Sequence, residues 1–304
     1  MKSKITSLRK ICKRPKVLLL GNGLNRSFGS ESWGDILSEL SCTSFEEEEK
    51  TIIDELTFPL QAIVYTGDNV DEGIKLLSEK LTNMPISEGY SEIINEYINL
   101  DFDVILTTNY TYDIERGIDK NFSCKARRSS KYRKKSFNGN ASEEQFGLFK
   151  YMYVNDKYIW HIHGEAARED SMILGHYYYG KLLACMQKYI STLIRRYKGL
   201  VTKGDFLPLS WIDYFMLGDV YIVGLGLDQS EIDLWWLLNC KKRHNKELNG
   251  GKVYWFEPNM KNMKSFSRYK LAEVNNIEVI TENVKSSQYM RYYRTISKTI
   301  KDYL

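Results

Sequence analysis

Val17-Leu18-Leu19-Leu20-Gly21-Asn22-Gly23-Leu24-Asn25 is the stretch on which the fold of this chain turns. An apolar run flows directly into a glycine turn, and a helical pattern begins at Trp33 after a short Ser- and Gly-containing connection. Trp33, Ile36, Leu37 and Leu40 fall at i, i+3, i+4, i+7, the spacing of one helix face. Similar apolar runs recur at Val104 to Thr107, Tyr158 to Ile162, Val220 to Val223, Val253 to Phe256 and Ile277 to Ile280. Helical patterns separate most of them, including Val70, Ile74, Leu77 and Leu81. Strands alternating with helices predict an α/β protein built on a parallel sheet flanked by helices. Right-handed crossovers place the loops after the strand C-termini on one edge, where ligands bind at the point of reversed strand order. Function is therefore expected just after the strands.

A chain of 304 residues, 43% hydrophobic and 27% charged, has the composition of a packed globular protein and not of a disordered one. We expect a single domain over residues 1–304 with two interruptions. One is a basic loop near 125–145, with seven Lys and Arg between Lys125 and Lys135; the other is a helical insertion near 179–217. In the second, Leu183, Met186, Ile190, Leu193, Ile194 and Tyr197 make an apolar stripe suited to a core or an oligomer contact. Tyr289, Tyr293, Ile296, Ile300 and Tyr303 make another in a C-terminal helix. A net charge of +4 gives no general case for nucleic acid, and the basic run reads first as a solvated loop. No segment has signal-peptide or membrane-spanning character. Cys12, Cys42, Cys124, Cys185 and Cys240 are scattered, which fits a reducing cytoplasm and offers no zinc module.

Four places carry possible chemistry. Gly21, Asn22, Gly23 and Asn25 make a turn whose backbone N–H groups could approach a pyrophosphate, although the third glycine of the dinucleotide fingerprint is missing. Leu106-Thr107-Thr108-Asn109-Tyr110 opens a strand onto polar residues before Asp113, Glu115 and Arg116. There the amide of Asn109 either orients a ribose hydroxyl or water, or caps the following helix. Trp160-His161-Ile162-His163-Gly164 ends a strand with two histidines that alternation sets on one face. His163, nearer the strand end, is the better general base and His161 the structural residue; no Cys or carboxylate cluster accompanies them, so no metal is expected. Val223-Gly224-Leu225-Gly226-Leu227-Asp228 repeats the strand and glycine pattern. Asp228 reads either as a ribose contact or as an N-cap with Glu231 completing a capping box. Trp235 and Trp236 read as core residues.

In this order, Gly21-Asn22-Gly23, Thr107-Thr108-Asn109-Tyr110, His163-Gly164 and Gly224-Leu225-Gly226-Leu227-Asp228 resemble the bacterial sirtuin-like domains associated with antiphage defence, over roughly Val17 to Phe256. The resemblance implies a Rossmann-like NAD-binding domain. Asn109 would position the nicotinamide ribose and water, and His163 would act as base or ribose contact. Thr108, Gly224, Gly226 and Asp228 would join the first turn in holding NAD. Three positions depart from the family: Thr111 replaces an aspartate, Asn25 a serine and Gly226 a ribose-binding serine. The four-cysteine zinc module of the protein-deacylating sirtuins is also missing, so deacylation is not expected.

The reaction implied is hydrolysis of NAD, as substrate, to nicotinamide and ADP-ribose, with NAD depletion during phage infection as its outcome. A homo-oligomer and a defence partner protein belong to the same expectation. The rival is a sensor that binds NAD or ADP-ribose without turning it over. A nucleic-acid role rests only on the basic loop.

Overall fold

The structure, a computed structural model, describes residues 14–41, 44–67, 69–124, 127–129, 141–197, 208–259, 263–284 and 288–304. Its strands are β1 (Lys16–Leu20), β2 (Val104–Thr107), β3 (Arg127–Ser129), β4 (Lys150–Val154), β5 (Lys157–His161), β6 (Asp219–Val223), β7 (Val253–Asn259) and β8 (Ile277–Asn283). They form one sheet in the order β3-β4-β5-β2-β1-β6-β7-β8. Each of the six expected apolar runs is a strand, and these six are mutually parallel. Numbered along the chain, the six stand in the order 3-2-1-4-5-6, the Rossmann arrangement. The winding reverses between β1 and β6, whose registers pair Leu20 with Val223.

The apolar runs follow from burial on both faces. Successive side chains of a strand point to opposite sides, and each side of this sheet is covered by helices. Val17 and Leu19 enter one core with Trp160, Ile222 and Trp255, under the helices Gly175–Tyr197 and Ile232–Leu248. Leu18 and Leu20 enter the other with Ile105 and Tyr221, under Val70–Thr82, Tyr90–Ile98 and Tyr289–Ile300. The helix at Trp33–Ser38 is fixed by a capping box between Ser32 and Asp35. Among the described residues no helix is long and apolar enough to cross a membrane.

Two regions differ from expectation. The supposed insertion near 179–217 contains the link that carries the chain from β5 to β6. Its helix starts at Gly175, and Met186, Ile190, Leu193 and Tyr197 are buried against the sheet as part of the main core. β3 and β4 were not foreseen. They extend the sheet antiparallel beyond β5 through a tight turn at Asn155 and Asp156, with φ of 43° and 64°. Both residue types tolerate that left-handed geometry. Of the basic run, Lys125, Lys131, Arg133, Lys134 and Lys135 lie outside the described residues.

A buried amine joins two of the helices. Lys241 donates to the carbonyls of Phe215, Met216 and Gly218 at 2.9, 3.1 and 2.7 Å, at the end of the helix Trp211–Leu217. Carbonyls at a helix C-terminus have no partner in their own helix and attract a cation. Lys241→Met should lower unfolding stability by about 2–3 kcal/mol in urea titration, because buried acceptors lose their donor. A loss within about 0.5 kcal/mol, the range of ordinary surface changes, would show that the carbonyls find other donors.

Candidate functional site

The C-terminal ends of β1, β2, β6 and β7 open onto a cleft of about 950 Å³. It lies at the reversal point of the sheet, where such folds bind ligands. Asn22, Gly23, Asn25, Thr108, Asn109, His163, Gly224, Gly226 and Asp228 all line it. Gly21 does not. Its N–H donates to Val223 O at 3.0 Å, and the N–H of Gly23 donates to Gly224 O at 2.7 Å. A Cβ on Gly21 would stand 2.5 Å from Gly224 O. These glycines let two turns touch, and their amides are engaged in that contact. This corrects the expectation that both would face a pyrophosphate. Arg26, exposed in the same turn, lines the cleft and makes no ion pair among the described residues. With Lys50 it is a basic group available to an anion there.

Asn25 is buried, and its amide donates to Asp113 Oδ2 at 2.5 Å while its Oδ1 has no donor among the described residues. The Thr111 hydroxyl donates to the same carboxylate oxygen. Burial raises the pKa of Asp113, and the Thr111 hydrogen bond counters only part of this. Asn25 and Thr111 therefore converge on one carboxylate, two residues beyond Thr111.

Asn109 does not cap the next helix, which runs from Asp113 to Ile118 with Tyr112 at its N-cap. Its backbone is clamped instead. The N–H donates to Thr107 Oγ1 at 3.1 Å, and the carbonyl accepts from His161 Nδ1 at 2.7 Å. The side-chain amide is left without a hydrogen bond among the described residues and lines the cleft.

The two histidines do not form a pair. β5 ends at His161, so strand alternation does not extend to His163, and Gly164, at φ +94°, turns the chain away. His161 Nε2 lies 2.9 Å from Glu115 Oε1. Burial alone would lower its pKa, but the Glu115 carboxylate outweighs burial and raises it to about 9. A folded pKa above the unfolded value of 6.5 contributes stability that is complete below about pH 6.5 and lost as pH rises through about 9. Denaturant titrations over that window should show stability falling by an amount on the order of 2 kcal/mol in the parent, and a shallower fall in His161→Gln. Equal slopes in the two proteins would remove His161 as the cause.

His163 is buried at the cleft wall, with Nε2 2.8 Å from Asp233 Oδ2 and its ring edge-on to Tyr179 at 5.7 Å. Burial lowers its pKa and the Asp233 carboxylate more than reverses that, so the net shift is upward. Nδ1 makes no hydrogen bond among the described residues. Beside it, Glu231 Oε2 is buried and unpartnered, and burial pushes this carboxyl up to about 7. The expected capping box between Asp228 and Glu231 is not formed. Asp228 Oδ1 accepts from Ser230 N at 2.6 Å, and Glu231 is itself the N-cap of Ile232–Leu248. Trp235 anchors this start through Nε1 to Asp228 O at 3.1 Å.

Sequence reasoning missed Asp113, Asp233 and Glu257 as site residues. Glu257, at the end of β7, lines the cleft, and Arg268 lies 3.1 Å from its Oε1. Burial raises its pKa to about 7, against the pull of Arg268. Its signal was position, a carboxylate at the C-terminal end of an apolar strand. No family model matches the chain, and a search of curated proteins finds no match.

Proposed function

We propose that the cleft binds NAD and hydrolyses its nicotinamide–ribose bond, with Asn109 and His163 as catalytic residues. The observation that carries this reading is the pairing of two ready groups in one cleft at the sheet reversal. One is the Asn109 amide, which lines the cleft and makes no hydrogen bond among the described residues, and the other is His163, held at Nε2 by Asp233. With Asp233 ionised, Nε2 keeps its proton and Nδ1 is the accepting nitrogen.

In the proposed step, water adds to the anomeric carbon and the carbon–nitrogen bond breaks. The bonding pair returns to the pyridinium nitrogen, which leaves as neutral nicotinamide. The proton lost by water passes to His163 and then to solvent, leaving ADP-ribose. A transition state of oxocarbenium character needs positioning and nearby negative charge more than a strong nucleophile. Asn109 orients the water or ribose, and its own backbone is fixed by Thr107 and His161. Asn25 Oδ1, a buried acceptor without a donor, and Asp113 beside it suit the amide hydrogens of the nicotinamide carboxamide. Arg26 suits the pyrophosphate, and Asp228 and Glu257 suit ribose hydroxyls.

The reading agrees with the sirtuin-like resemblance, which adds NAD depletion in antiphage defence, a homo-oligomer and a partner protein that triggers it. The test is nicotinamide release from NAD by the parent, Asn109→Ala and His163→Ala, each checked for folding. Release by the parent that is lost in both variants supports hydrolysis. Tight NAD or ADP-ribose binding without release favours a sensor, and no binding by any of the three removes the nucleotide assignment.

A further inference from the structure

We infer that His163, Glu231 and Asp233 form a binding site for a divalent transition-metal cation of the Mn²⁺ or Zn²⁺ class. One ligand atom from each residue lies within 4.8 Å of the other two. The spacing already suits two donors on one ion: His163 Nε2 and Asp233 Oδ2 are 2.8 Å apart, and metal bonds of about 2.1 Å set neighbouring ligands roughly 3 Å apart. One imidazole with two carboxylates is a mixed donor set that such cations accept.

Two oxygens at this place ask for a partner independently of the spacing. Asp233 Oδ1 and Glu231 Oε2 are both fully buried and without a hydrogen bond among the described residues. No Lys or Arg forms an ion pair with Asp228, Glu231 or Asp233 among the described residues, so the negative charge gathered here faces only the His163 imidazole. Buried carboxyl oxygens are costly unless a donor or a cation meets them. A divalent ion would meet both and replace the proton between His163 and Asp233. Both acidic residues sit at the start of the helix Ile232–Leu248, so the chain presents them from a fixed turn. No Cys or carboxylate cluster accompanies the histidines along the chain, so the sequence alone predicts no metal. The fold supplies two of them from the segment after β6.

If His163 is the base of the proposed hydrolysis, the ion has a consequence for that role. A neutral imidazole bound through Nε2 carries its proton on Nδ1, so the metal-bound protein loses its proton acceptor and metal acts as an inhibitor. The site itself does not depend on NAD being the substrate.

The test uses the full-length chain, freed of metal by a chelator and titrated with Mn²⁺ alone while free Mn²⁺ is followed by electron paramagnetic resonance. The expected result is one bound Mn²⁺ per chain, displaced by Zn²⁺, with affinity at least tenfold weaker in Glu231→Gln. The Glu231 side chain makes no hydrogen bond among the described residues, so the glutamine keeps its shape and breaks no contact. His163→Asn is the second variant, and circular dichroism confirms folding of each. Failure of the parent to take up either ion at millimolar concentration, or uptake unchanged in both folded variants, overturns the site. Mn²⁺ binding by a protein that releases no nicotinamide even when freed of metal upholds the metal site and counts against hydrolysis alone.

Discussion

Nicotinamide release should fall by a factor of about 10²–10⁴ in His163→Ala, the contribution of a positioned general base. The expectation rests on which nitrogen holds the proton. Asp233 Oδ2 lies 2.8 Å from Nε2 and can only accept when ionised, so it pins the proton there and leaves Nδ1 free to receive one. Asp233→Asn separates this from simple packing. An asparagine amide can donate to Nε2, which drives the proton to Nδ1 and inverts the tautomer, so kcat should drop while KM for NAD stays near the parent value. The pH profile gives a second readout. A base must be deprotonated, so the parent rate should rise with pH through a point above 6.5, since Asp233 outweighs burial in setting the His163 pKa. In Asp233→Asn that point should move to lower pH. Release by a folded His163→Ala within a few-fold of the parent would remove histidine from the mechanism.

The second large effect concerns the residue that aims this histidine. Gly164→Ala is expected to cost about 4 kcal/mol or more in unfolding stability, the range reserved for backbone strain combined with a core clash. Gly164 has a φ of +94°, and a Cβ there would stand 2.1 Å from Ser171 O and 2.7 Å from Met172 Cα. Neither neighbour can yield easily. Ser171 N is bonded to Arg168 O, and Ile173 N to His163 O at 2.9 Å, so the whole segment from His163 to Ile173 closes on itself. Gly180 supplies the contrast. It is exposed within the helix Gly175–Tyr197 and a Cβ there meets nothing within 4 Å. Gly180→Ala should be neutral or stabilising by up to about 1 kcal/mol. Similar denaturation midpoints for the two variants would show that the turn at Gly164 relaxes around a side chain.

The central strands were legible because parallel strands covered on both faces become unbroken apolar runs. Val17 to Leu20 and Val104 to Thr107 are such runs, and their glycine or polar exits mark the functional edge. β4 was harder to see, since Lys150-Tyr151-Met152-Tyr153-Val154 carries no glycine or proline boundary of its own and its turn is only two residues long. Asn109 and His163 could be picked out from their positions just after strands. Their partners could not. Asp233 reaches His163 across 70 positions and Asp113 reaches Asn25 across 88, distances that no local spacing encodes. The spacing of Asp228 and Glu231 even pointed the wrong way. Leu227, buried at φ 45°, bends the chain ahead of the helix, and the Asp228 carboxylate accepts from Ser230 N, so no capping box closes with Glu231.

The contact between the two glycine turns bears on how the protein could change its preferences. Gly21 and Gly23 are bound to Val223 and Gly224 at the very middle of the sheet, so the floor of the cleft is one rigid plate. No ligand can widen it without opening the central ladder. Adaptation to a bulkier or differently charged ligand must therefore come from the walls, where Phe58–Thr66, the Tyr179 ring and the Glu257–Arg268 pair stand over a foundation that does not move.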